Sequence, residues 1–203
     1  LTRSSAASDV YKRQNMIDIS LFASGSGSNV EEIFKYFKGH PKIKVDSLFC
    51  NNDNAYVIER AKSLDLHHII FDNKISDEDL LKLIDSRNIS YIVLAGYLRL
   101  IPQTVIDKYE NKIINIHPSL LPKFGGKGYY GSRVHESVIG SKEKYSGITI
   151  HLVDEKYDKG KILFQKKIQI KDGETPDSLA QKIHKLEHIY FSQILEKYLL
   201  DKL

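Results

Sequence analysis

Short runs of consecutive apolar residues alternate with longer stretches in which apolar positions recur every three or four residues, from residue 17 to about residue 200. The runs have the length of strands covered on both faces, and the stretches have the period of helices with one apolar stripe. That alternation predicts an α/β fold, Rossmann-like, with a mostly parallel twisted sheet and helices on both faces. Strands are expected at 17–23, 43–50, 67–71, 89–95, 112–116, 147–153 and 161–170. Helices are expected at 30–38, 56–64, 77–86, 102–109 and 133–138, with a long one opening at Thr175-Pro176-Asp177. That opening joins a capping hydroxyl, a proline at the first helical position and an acid in the first turn. Ile89-Ser90-Tyr91-Ile92-Val93-Leu94-Ala95 is almost continuously apolar, which suits a central strand. The run at 161–170 alternates only partly, so an antiparallel strand is expected near the C-terminal end.

Residues 1–15, LTRSSAASDVYKRQN, lack apolar periodicity and a signal-peptide core. They read as a non-native or disordered leader, with the native start expected at Met16 and a single domain over 16–203. The leader carries Arg3, Lys12 and Arg13 against Asp9, which accounts for two of the four net positive charges. The remainder is nearly neutral, a poor match to a nucleic-acid partner. No run reaches the eighteen or so apolar residues of a membrane span, so a protein without membrane attachment is expected. The lone Cys50 excludes an internal disulfide and fits a reducing cytoplasm. Neither Cys-x-x-Cys nor His-Glu-x-x-His occurs, and no metal is expected.

Three places carry candidate chemistry. Ser24-Gly25-Ser26-Gly27-Ser28-Asn29 joins the first strand to the first helix, where backbone amides and a helix N-terminus make an anion site. Val30 stands where a dinucleotide fingerprint has its third glycine, and no Walker lysine follows, so a phosphate monoester fits best. Asn115-Ile116-His117-Pro118 closes a strand, and alternation puts Asn115 and His117 on one side. An amide that can meet an oxyanion beside an imidazole that can move a proton suits acyl transfer. A carboxylate near His117 would raise its pKa and keep it charged. Asp154, Glu155 and Asp158 all lie in the turn after residue 153, and spacing does not choose among them. His184 and Glu187 share a face of the last helix, for which solvation is the ordinary reading, and His151 on its strand is a second-rank candidate.

Together, Phe22-Ala23-Ser24-Gly25-Ser26-Gly27-Ser28-Asn29, Leu94-Ala95-Gly96-Tyr97-Leu98-Arg99, Asn115-Ile116-His117-Pro118-Ser119-Leu120-Leu121-Pro122 and the Asp158 turn resemble the phosphoribosylglycinamide formyltransferase family. The resemblance implies transfer of the formyl group of 10-formyltetrahydrofolate, without a metal, to the amine of 5'-phosphoribosylglycinamide in de novo purine (IMP) biosynthesis. It implies that His117 is the general acid, Asn115 holds the oxyanion and Asp158 supports charged His117. It also implies that Gly27, Ser28 and Asn29 cradle the phosphate and Glu187 reaches the ribose. The folate would lie against Leu94, Leu98, Arg99, Leu100 and Ile101, with Val105, Asn115, Val153 and Asp154 nearby. After Phe124 the chain departs from the family's Pro-Gly-x-His pattern, leaving His135 as the match to a histidine there. Where many relatives place a folate-binding arginine, Lys74 is the substitute at hand, although a point charge does not reproduce a guanidinium fork. Oligomeric state is left open, with a homodimer compatible. The alternatives are a methionyl-tRNA formyltransferase-like enzyme, which shares the Asn-x-His-Pro stretch, and a catalytically silent phosphosugar-binding protein on the same fold.

Overall fold

Alternation within β1 (Ile17–Ala23) decides how the molecule is layered. Ile19, Leu21 and Ala23 enter one apolar core, while Phe22 enters a second core on the opposite face of the sheet. Phe22 stacks there on Phe49 of β2 (Ile43–Cys50), with ring centroids 4.7 Å apart. The computed structural model describes residues 16–202, so the leader expected at 1–15 lies outside the described residues.

The sheet has seven strands in the order β3-β2-β1-β4-β5-β6-β7. To β1 and β2 it adds β3 (His68–Ile70), β4 (Tyr91–Leu94), β5 (Ile113–His117), β6 (Tyr145–Leu152) and β7 (Ile162–Gln169). The first five are parallel, and β5–β6 and β6–β7 are antiparallel. The reversal therefore falls at β6, one strand before the edge strand β7. The first core receives α1 (Ser28–Phe37), α2 (Val57–Ser63), α5 (Ser132–Gly140) and α6 (Pro176–Leu199). The second receives α3 (Asp77–Asp85) and α4 (Gln103–Lys108). Helices thus cover both faces, as strands with buried apolar residues on each side require.

Local chemistry sets the helix starts. Ser76 Oγ accepts from the Asp79 amide at the head of α3, and Thr175 and Ser178 form a reciprocal capping box at the head of α6. α1 begins two residues earlier than expected, at Ser28, because Gly27 takes the cap position in a left-handed conformation (φ 76°). A side chain at Gly27 would also meet Val57 Cγ2 at 2.2 Å, so only glycine lets α2 approach this turn.

Candidate active site

The β1–α1 turn, the β4–α4 loop, the end of β5, the glycine-rich segment before α5, the β6–β7 loop and one face of α6 surround a single cavity of about 550 Å³. At one end lie Gly27, Ser28 and Asn29. Ser28 and Asn29 are the first two residues of α1, so their amides belong to the turn whose N–H groups have no intrahelical partner. Ser24 pins the turn from below: its hydroxyl donates to Asn51 Oδ1 at 2.6 Å and accepts from the Leu98 amide at 3.1 Å. Glu187 is 4 % exposed yet reaches this end of the cavity. Asn29 Nδ2 and His184 Nδ1 each contact its Oε2 at 3.0 Å, which leaves Oε1 for a ligand hydroxyl. The solvated reading of this helix face holds for His184, whose side chain is exposed, but is corrected for Glu187, which is buried by Asn29 and the packing of α6 against α1. His184 gains basicity from its bond to Glu187, which raises its pKa against the opposing effect of burial.

The centre of the cavity is built on the pairing of β5 with β6. Asn115 stands opposite His151, and His117 opposite Thr149. The β6–β7 loop leaves and returns at one point, where the Leu152 amide donates to Lys161 O at 2.9 Å. This closure needs Gly160, whose Cβ would lie 1.9 Å from Leu152 O. It folds Asp158 inward, with Oδ2 3.6 Å from His117 Nδ1 and Oδ1 3.5 Å from His151 Nε2. The Gly126 amide donates to Asp158 Oδ2 at 2.8 Å. Of the three acids in the loop, geometry selects Asp158: Asp154 accepts from the Lys156 amide instead, and Glu155 is exposed.

Tautomers follow from these partners. A carbonyl only accepts, so the 2.7 Å contact from His117 Nε2 to Phe124 O requires a proton on Nε2. Neutral His117 then presents a bare Nδ1 to Asp158, a pairing that becomes attractive once Nδ1 is protonated. His151 Nδ1 lies 2.8 Å from Leu152 O and carries its proton there, so neutral Nε2 accepts from Asn115 Nδ2 at 3.1 Å. That bond uses one amide hydrogen of Asn115 and leaves the other for the cavity.

The expectation that a carboxylate keeps His117 charged is corrected here. Burial lowers the His117 pKa by more than Asp158 raises it, since the ring is almost enclosed and an imidazolium there loses its hydration. The carboxyl of Asp158 behaves oppositely. Burial pushes it up, but His151 and His117, when their rings are protonated, and the Gly126 amide hold it below the usual carboxylate range.

The other expected residues fall less evenly. Leu94, Leu98, Arg99, Leu100, Ile101, Val153 and Asp154 all line the far end of the cavity. Val105 does not, because it is fully buried in the second core beneath the wall. Lys74 also stays out of the lining, and the guanidinium that reaches its loop is that of Arg99, donating to Asn73 O at 2.7 Å. His135 is 4 % exposed on α5 and lines the cavity, with burial lowering its pKa.

A family model described as formyl transferase matches residues 17–195. The chain belongs to the formyl transferase family. The chain is 38 % identical over 191 residues to the phosphoribosylglycinamide formyltransferase of Bacillus subtilis, covering 91 % of this chain and 95 % of that protein. It is 39 % identical over 186 residues to the chloroplastic phosphoribosylglycinamide formyltransferase of Vigna unguiculata, covering 88 % of this chain. The chain spans 59 % of the length of that plant protein and 63 % of its Arabidopsis thaliana counterpart. Among solved structures it resembles the phosphoribosylglycinamide formyltransferase of Bacillus halodurans, with a TM-score of 0.82 at 36 % identity over 90 % of this chain and 95 % of that one. The enzyme of the same name from Anaplasma phagocytophilum gives a TM-score of 0.84 at 27 % identity, covering 92 % of this chain and 89 % of that one.

Three residues that line the cavity stood low in the sequence reading. His151 is on a strand whose alternation was visible, but its position opposite Asn115 depends on strand register. Tyr129 and Tyr130 line the cavity from the glycine-rich segment, where Arg133 lies 5.0 Å from the Tyr130 ring centroid. The adjacent aromatics were the available signal.

Proposed function

We propose that the protein transfers the formyl group of 10-formyltetrahydrofolate to the amine of 5'-phosphoribosylglycinamide, a step of de novo purine biosynthesis. The observation that carries this reading is one cavity holding an anion turn at one end, an apolar wall at the other, and Asn115, His117 and Asp158 between them. The amides of Gly27, Ser28 and Asn29 take the phosphate, and Glu187 takes a ribose hydroxyl. The wall from Leu94 to Ile101, with Val153, takes the folate ring, an apolar surface with backbone polar groups at its margin.

The amine nitrogen attacks the formyl carbon, and the carbonyl electron pair moves onto oxygen. The free amide hydrogen of Asn115 donates to that oxyanion, with His151 holding the amide's orientation. Nδ1 of His117 takes the proton that the attacking amine loses, and Asp158 stabilises the imidazolium formed. The imidazolium gives that proton to the departing folate nitrogen as the carbon–nitrogen bond breaks, which restores neutral His117. Asp158 thus acts in stabilising a transient charge, consistent with a resting His117 held neutral by burial.

A cytoplasmic location accompanies this reading, and among the described residues no helix is long and apolar enough to cross a membrane. A formyl-transfer assay on purified protein with 10-formyltetrahydrofolate tests the proposal. Formylation of phosphoribosylglycinamide is expected. Formylation of initiator methionyl-tRNA instead, or binding of phosphoribosylglycinamide without turnover, would refute it.

A further inference from the structure

Beside the anion turn stands a charged pair that the mechanism does not use. Arg60, on α2, donates from Nε to Ser26 O at 2.9 Å. Its Nη1 pairs with Glu31 Oε2, and its guanidinium lies 5.1 Å from the Tyr56 ring centroid. Glu31 is in the first turn of α1, and its amide donates to Gly27 O at 3.1 Å. An acid in a first turn ordinarily stabilises a helix. Here the same helix end is the surface offered to a phosphate, and a carboxylate one turn away opposes a dianion. Lys35 also contacts Glu31, at Oε1 and 2.6 Å, but its side chain is 53 % exposed against 29 % for Arg60. The more exposed lysine is the more screened by solvent, and it makes no recorded bond to the turn.

We propose that Arg60 is a positioning residue for phosphate binding, fixing the Ser26 carbonyl so that the amides of residues 27–29 face the cavity while neutralising Glu31 beside them. This rests on reading the turn as the phosphate subsite. The carbonyl bond keeps the peptide after Ser26 from turning its oxygen toward the ligand. The ion pair lets α1 keep its acid without repelling the substrate. The α2 helix can serve both purposes because Val57, its first residue, lies against Gly27 and donates its amide to Gly25 O at 3.1 Å.

The test measures ribose 5-phosphate binding by calorimetry, alongside kcat and both KM values, for Arg60→Gln, Arg60→Lys, Glu31→Gln and the double variant Glu31→Gln/Arg60→Gln. Arg60→Gln should weaken ribose 5-phosphate binding and raise the phosphoribosylglycinamide KM about tenfold, with the effect shrinking as salt rises. The folate KM should hold, and kcat should change by less than about threefold. The double variant should recover about threefold of the lost affinity, and Arg60→Lys should fall between wild type and Arg60→Gln. If Arg60→Gln fails to fold, Glu31→Gln alone decides: it should tighten ribose 5-phosphate binding, and unchanged or weaker binding overturns the proposal. A fall in kcat with unchanged KM, or a salt-insensitive loss that the double variant does not relieve, overturns it too. Ribose 5-phosphate binding by a wild-type protein that does not formylate phosphoribosylglycinamide would sink the proposed function while leaving this inference to its own arms.

Discussion

Replacing Asp158 by Asn removes one charge and almost no volume. The carboxylate lies 3.6 Å from His117 Nδ1 with a side chain only 10 % exposed. Unit charges near 4 Å apart interact by about 1 kcal/mol in water and about 4 kcal/mol at the effective dielectric of a protein surface. Loss of that interaction removes stabilisation from the imidazolium formed during transfer but not from the resting neutral ring. The cost therefore falls on the transition state: kcat should drop at least about tenfold and as much as several hundredfold. The phosphoribosylglycinamide KM should change by less than about twofold, because the phosphate and ribose contacts lie at the other end of the cavity. The Asn side chain keeps an oxygen for the Gly126 amide, so the glycine-rich segment should hold its place. Initial-rate kinetics with both substrates varied, repeated across pH, supply the readout. The His117 titration in the free protein should move further down, since Asp158 is the attraction that opposes burial. Unchanged turnover, or a loss confined to KM, would remove Asp158 from the chemistry.

His151→Phe leaves the Asn115 amide without its acceptor and should lower kcat about tenfold, with both KM values near wild type; a wild-type kcat would mean that His151 does not orient Asn115. Gly27→Ala forces a Cβ into Val57 at a left-handed φ, so thermal denaturation should show a loss of about 1–3 kcal/mol and titration should show loss of ribose 5-phosphate binding; normal binding would refute the close-approach reading of the turn. Stability should fall on acidification. His117 and His135 have folded pKa values depressed below the ordinary 6.5, so their contribution is present above that value and is lost as pH falls below it. His184, with a raised folded pKa, contributes the opposite way, its stabilisation being lost as pH rises through that value. Melting temperature should therefore decline from pH 7.5 to 5.5, and less steeply in His135→Asn; a rise in that window would contradict the balance of two against one.

The layering was legible because β1, β2, β4 and β5 bury most of their residues and keep apolar runs that the polar positions at their ends do not hide. The turn at Gly25–Asn29 was legible for the same reason, since a strand and an amphipathic helix bracket it. Asn115 and His117 follow from strand alternation alone. Spacing did not choose Asp158 over Asp154 and Glu155; the resemblance did, and the physical reason is the Leu152–Lys161 closure, a backbone approach that only Gly160 permits. The pKa shift of His117 was read with the wrong sign because attraction by a carboxylate is visible as a nearby residue, whereas desolvation depends on everything packed around the ring. Val105 was misplaced for a simpler reason: on a six-residue helix, one position separates wall from core.

The antiparallel pairing of β5 with β6 has a consequence for change over time. Asn115 is matched to His151 and His117 to Thr149 by backbone ladder bonds, and everything between the two strands is a connection outside that ladder. The exposed stretch at 127–131 can therefore lengthen or shorten while the reacting atoms keep their spacing. Just before it, Phe124 O and the Gly126 amide bond to His117 and Asp158. A lineage is free to reshape how the cavity is covered, and so what it admits, provided those two backbone groups stay where they are.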